Sequence, residues 1–144
     1  EKEGEHLFLD LNEKLDGIEK MVCDVEKRSP EMMEEYRSRI TEKAEELLGD
    51  KNIDERVLAT ELTIYADKVC VDEETVRLHS HIKNMRDTLK LGDNIGRKLD
   101  FIAQEMNRES NTILSKANDR ALSNIAIDLK TEIEKVREQI QNIE

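Results

Sequence analysis

Apolar residues recur at intervals of three and four through Leu7, Leu11, Leu15, Ile18, Val22 and Val25. This spacing constrains the chain more than any other feature, because it gathers all six on one stripe of an α-helix, whereas a strand needs alternation. A second stripe closes the chain at Leu122, Ile125, Leu129, Ile133, Val136, Ile140 and Ile143. Two long one-sided helices must bury their stripes, and antiparallel pairing is the simplest way to do so. With one Pro and five Gly in 144 residues, and 40% charged against 3% aromatic, few breaks interrupt the helices. The fold class is all-α: a long antiparallel helical hairpin or coiled-coil arm, with shorter helices forming a compact helical end.

The first stripe continues nearly in phase beyond Pro30, through Met32 or Met33, Tyr36, Ile40, Ala44 and Leu47. Ser29-Pro30-Glu31 is also a good helix start, so the sequence predicts either a kinked helix or two nearly collinear ones, ending near Gly49. Asp54 reads as the N-cap of a helix to about Cys70, and Asp72 as the cap of one that Gly92 ends. Another helix is predicted from about Asn94 to Thr112, and Asn118 or Asp119 opens the last, which ends near residue 143. Residues 1–53 thus read as an acidic helical arm, and 54–144 as a C-terminal helical domain whose last helix, 119–143, packs on the arm.

The net charge of −11 argues against a general nucleic-acid binder, which would carry a basic surface. The acidity is uneven, however: residues 1–50 hold 16 acidic against 8 basic side chains, and the remainder is close to balanced. A local basic surface is compatible with that remainder. Cys23 and Cys70 lack any metal-ligand spacing and read as reduced thiols. No apolar run approaches the roughly 20 residues that span a bilayer, and no signal-peptide pattern is present, so no membrane partner is expected. Charge periodicity is already running at Glu1, and the chain is expected to be part of a longer protein.

The segment GRKLDFIAQEMNRESNTILSK, residues 96–116, departs from the usual Lys/Glu scatter of a solvated helix face. Projected at about 100° per residue, Leu99, Ile102, Ala103, Met106, Ser110, Ile113 and Leu114 form its buried side. Opposite lie Arg97, Phe101, Gln104, Glu105, Arg108, Asn111, Thr112 and Ser115. Asn and Ser compete with the helix backbone for hydrogen bonds, so propensity does not explain them. The mixture suits a ligand with charge and flat rings: Arg forks onto phosphate, Asn and Gln meet base or ribose edges, and an aromatic face stacks a base. The alternative for Phe101 is packing on a neighbouring helix.

GRKLDFIAQEMNRESNTILSKAND, followed by LKTEIEKVREQIQNIE at the C-terminus, closely resembles the end of the YicC-like endoribonuclease family, and VDEETVRLHSHIKNM resembles its acidic helix start followed by Arg and His. The resemblance covers residues 54–144 well, and residues 1–53 only as the acidic arm that precedes that region. Family members also have a sizeable N-terminal domain that this sequence does not contain. The resemblance implies a bacterial cytoplasmic enzyme that cuts single-stranded or structured RNA, works as a symmetric homo-oligomer and uses a divalent metal, Mn²⁺ or Mg²⁺. The family's polar signature falls on Asp100, Gln104, Glu105, Asn107, Arg108, Glu109, Asn111, Thr112, Ser115 and Lys116, with Asp72, Glu73, Glu74, Arg77 and His81 upstream.

Roles among these residues follow from their chemistry. Glu105 and Glu109, four apart on one helix edge, are the first choice for holding a metal, joined by Asp100; Asp72, Glu73 and Glu74 form the rival cluster. The helix dipole favours acidic residues in a first turn without any ligand, which weakens that rival. His79 and His81 point about 200° apart on a helix and cannot serve one ion together. His81 alone could take a ribose 2′-hydroxyl proton in a metal-free cleavage, with Arg77 one turn earlier to hold phosphate. The candidate catalytic residues are therefore Glu105, Glu109 and His81. Arg97, Phe101, Gln104, Arg108, Asn111, Ser115, Lys116 and Arg77 are candidates for gripping RNA. Two other readings stand beside the enzyme: an RNA-binding or oligomerising half that needs the N-terminal domain for activity, and a plain coiled-coil scaffold.

Overall fold

A computed structural model of the chain describes residues 2–49, 51–92 and 94–142. Five helices run through them: α1 (Lys2–Leu48), α2 (Glu55–Val69), α3 (Asp72–Leu89), α4 (Gly96–Lys116) and α5 (Arg120–Gln141). There is no strand among the described residues. None of these helices is long and apolar enough to cross a membrane.

The helices α1, α3, α4 and α5 form a closed ring in which each packs antiparallel to the next. Polar cross-links report the directions. Asp10 meets Gln139 while Arg28 meets Asp119, and Asp16 meets Arg86 while Glu26 meets His79. Between α3 and α4, Glu74 meets Lys116 and Arg77 meets Glu109. The terminal stripes do meet, as the periodicity predicts, but the shorter helices complete the same core instead of standing apart. Leu11, Leu15, Ile18, Val22 and Val25 face Leu78, Ile82, Met85, Leu99, Ile102, Met106, Ile113, Leu122, Leu129 and Ile133. Each buried aliphatic side chain contributes about 1.5–3 kcal/mol. Ile143, the last residue of the predicted seam, lies outside the described residues.

The stripe of α1 is fully covered only as far as Met32; Ile40 and Ala44 are half-buried and Leu47 is exposed. Over this second half lies α2, held by a parallel stack of Tyr36 on Tyr65 with ring centroids 3.7 Å apart. The Tyr36 hydroxyl donates to Glu61 and the Tyr65 hydroxyl to Asn118.

Of the two readings at Pro30, the structure has the single helix, continuous through the proline; two other predicted boundaries are corrected. Losing the bond to the Glu26 carbonyl costs about 3 kcal/mol in a helix interior, but the buried stripe continues on both sides, from Val25 to Met32, and its packing offsets that cost. Val71, not Asp72, occupies the N-cap of α3; its side chain is buried in the core, and Asp72 moves into the first turn. The fourth helix runs to Lys116 rather than Thr112, because Ile113 is buried and Lys116 is tied to α3. Asp54 and Asp119 do cap, accepting the backbone N–H of Arg56 and Leu122. Gly49 and Gly92 take positive φ of 64° and 85°, the conformation that glycine permits at a helix end.

Candidate functional site

One edge of the α3–α4 contact is built from polar side chains. Glu74, Arg77 and His81 lie three and four apart on α3, so they share a face. Antiparallel to them, Lys116, Glu109 and Glu105 share a face of α4. The helices therefore meet as a ladder with three rungs.

At the first rung, Lys116 Nζ lies 2.7 Å from Glu74 Oε1 and also donates to the Cys70 carbonyl at 3.1 Å. Glu74 is 2% exposed, and its other oxygen has no protein partner. Its hydrogen bond holds the Lys116 ammonium above its ordinary pKa. At the second rung, Arg77 Nε lies 3.0 Å from Glu109 Oε1, and Arg77 Nη1 reaches Glu73 at 3.5 Å. Glu109 is 5% exposed, at the edge of the buried stripe of α4. The bond to Glu109 raises the pKa of the Arg77 guanidinium.

At the third rung, His81, Glu105 and Glu109 each bring one donor atom to within 4.8 Å of the others. His81 Nε2 is buried and has no hydrogen-bond partner in the protein. Two carboxylates and an imidazole form a donor set that suits a first-row divalent ion such as Mn²⁺ better than Mg²⁺, which prefers oxygen alone. The orphaned ring nitrogen is the observation that fits a missing ligand. His79 faces away, toward Glu19 and Glu26 of α1, so the two histidines diverge as the helix geometry requires.

The other acidic candidates lie apart from this group. Asp100 stands apart from the His81 group: it accepts from Gln104 at 2.9 Å and pairs with Arg137 at 3.4 Å, binding α4 to α5. Five positions separate it from Glu105, about 140° around the helix, so one ion cannot easily reach both. The rival cluster also fails to converge. Asp72 and Glu73 point to solvent while Glu74 turns inward to Lys116, and among the described residues these three do not gather as a ligand set.

Beside the ladder, α4 presents an open depression of about 440 Å³. It is lined by Gln104, Asn107, Arg108, Asn111, Thr112, Ser115 and Lys116, all positions of the polar signature. Asn107 has a buried, unpartnered Oδ1. Arg97 is exposed toward the start of α4, and Phe101 is 61% exposed rather than packed on a neighbour.

Residues 25–144 match the family model described as endoribonuclease YicC-like, C-terminal. The chain is 46% identical to a probable endoribonuclease YicC of Clostridioides difficile (strain 630) and 38% identical to one of Haemophilus influenzae (strain ATCC 51907 / DSM 11121 / KW20 / Rd). Each alignment covers 99% of this chain and 49% of the relative, so the chain spans about half the length of the curated relatives it matches. The match begins within α1 and continues through the other four helices, so this chain belongs to the YicC-like endoribonuclease family, matching its C-terminal region.

Proposed function

We propose that this helical unit holds RNA along the exposed face of α4 and supplies the ligands of a divalent metal at His81, Glu105 and Glu109, as part of an endoribonuclease of the cytoplasm. One observation carries the reading: His81 of α3 converges with Glu105 and Glu109 of α4, the helix that bears the polar depression. A divalent ion bound there would supply an activated water and charge stabilisation at the scissile phosphate. Arg108 and Lys116 would neutralise backbone phosphates, Gln104 and Asn111 would meet base or ribose edges, and Phe101 would stack an unpaired base. Arg77 holds the Glu109 carboxylate in place through Nε at 3.0 Å.

A metal-free route uses the same His81, whose free Nε2 would accept the 2′-hydroxyl proton. Products distinguish the two routes. Cleavage that stops with chelator, returns with Mn²⁺ or Mg²⁺ and leaves 5′-phosphates supports the metal route. Cyclic 2′,3′-phosphate ends formed in the presence of chelator overturn it. The assay is run on this chain and on a protein with the full length of the relatives, because RNA binding without cleavage by this chain alone would favour a holding half completed by other residues. Homo-oligomerisation belongs to the same proposal: Val57 and Ile64 of α2 and Leu47 of α1 are exposed apolar side chains outside the bundle core. Sedimentation of a single monomeric species would remove that part.

A further inference from the structure

We propose that Cys23, Glu26 and His79 form a second metal site, for a thiophilic divalent ion of the zinc class, on the opposite side of α3 from the His81 group. Cys23 and Glu26 are three apart on α1 and share its face toward α3, from which His79 crosses. Cys23 Sγ, a Glu26 carboxylate oxygen and a ring nitrogen of His79 all lie within 4.8 Å of one another. A tetrahedral ion with bonds of about 2.0–2.3 Å spaces such donors by roughly 3.3–3.6 Å, so small side-chain rotations close the set. His79 Nε2 lies 2.9 Å from Glu26 Oε1, a contact that opens by a few tenths of an ångström as both turn to an ion.

The other ring nitrogen supplies an independent observation. His79 Nδ1 faces Glu19 Oε2 at 3.4 Å, the outer carboxylate that fixes tautomer and ring orientation in metal-bound histidines. Glu19 is in turn held by Arg86 at 3.3 Å. Thiolate, imidazole and carboxylate together select zinc or cobalt over magnesium. Cys23 and Glu26 are exposed and His79 is half-buried, which gives the ion entry and leaves its fourth position to water. An ordinary ion pair of His79 with two glutamates would not need Cys23, and the thiol is therefore the group that decides.

The test is titration of the reduced protein with Co²⁺, following the thiolate-to-cobalt charge-transfer absorption. It is done in a Glu105→Gln, Glu109→Gln background so that the His81 group cannot contribute. The expected result is a charge-transfer band saturating at one equivalent, abolished by Cys23→Ser, weakened about tenfold or more in affinity by His79→Gln and untouched by Cys70→Ser. Far-UV circular dichroism checks that the Glu105→Gln, Glu109→Gln background and each variant keep their helices; Cys23 and Cys70 are exposed and His79 is half-buried. A missing band, or a band that survives Cys23→Ser, overturns the proposal, and neither outcome bears on cleavage at the α4 site.

Discussion

The α1–α5 and α3–α4 contacts are both antiparallel helix pairs in one bundle, yet they bury different things. Between α1 and α5 the centre is aliphatic, and the charges stand at the edge, where Arg28 forks onto Asp119 through bonds of 3.0 and 2.8 Å. Between α3 and α4, two carboxylates, Glu74 and Glu109, are almost wholly removed from solvent against partly exposed cations. Burying a charge costs several kcal/mol before its pairing is counted, and an apolar replacement is often as stable. The first pair is what a sequence selected for stability would produce; the second carries a cost that the proposed ligand-holding role would account for. Substitutions that separate stability from ligand binding would test this contrast.

The largest expected effect is on stability alone. Leu15→Ala removes a side chain with no exposed surface from the α1 wall of the core and should lower unfolding free energy by about 2–5 kcal/mol. Denaturant melts should show this with Mn²⁺ affinity unchanged; a matching loss of metal binding at a temperature where the variant is folded would mean that the two regions are not separate. Next comes Glu105→Gln. Its side chain is partly exposed and makes only a distant contact with Arg108, at 3.9 Å, so stability should move by less than about 0.5 kcal/mol. Cleavage by the full-length protein should fall about 100-fold or more. Retained cleavage would remove Glu105 from the site.

Asp119 sharpens the α1–α5 side through pH. The Arg28 hydrogen bond holds its folded pKa below the ordinary 3.8, with the Leu122 N–H also favouring the charged form. The unfolded chain therefore binds this proton first as pH falls, so the contribution is complete above the unfolded value and is lost as pH drops through the folded one. Asp119→Asn should cost about 1 kcal/mol at neutral pH, and the loss of stability below pH ~4 should be shallower than in the parent. Equal acid slopes would show that the pair is not linked to folding.

The smallest effect is at Arg108, whose exposed guanidinium lines the α4 depression. Arg108→Ala should weaken RNA binding several-fold and reduce the salt slope by about one phosphate contact, with no change in melting. An unchanged slope in a filter-binding series would place RNA elsewhere.

Sequence by itself determined the helices, their buried sides and the polar face of α4, because each depends on residues within a turn or two of one another. The stripe through Leu99, Ile102, Ala103, Met106 and Ile113 is buried as projected, and Gln104, Arg108, Asn111 and Ser115 are exposed together. Only the tertiary structure decided register between helices, which periodicity leaves free: sliding α3 against α4 by one turn preserves both stripes. That register brings His81 to Glu105 and Glu109 instead of leaving it a rival to them, sets Arg77 on Glu109, and turns Asp100 to Arg137. It also carries His79 to Cys23 and Glu26, residues distant in sequence whose meeting depends on how α1 and α3 pack.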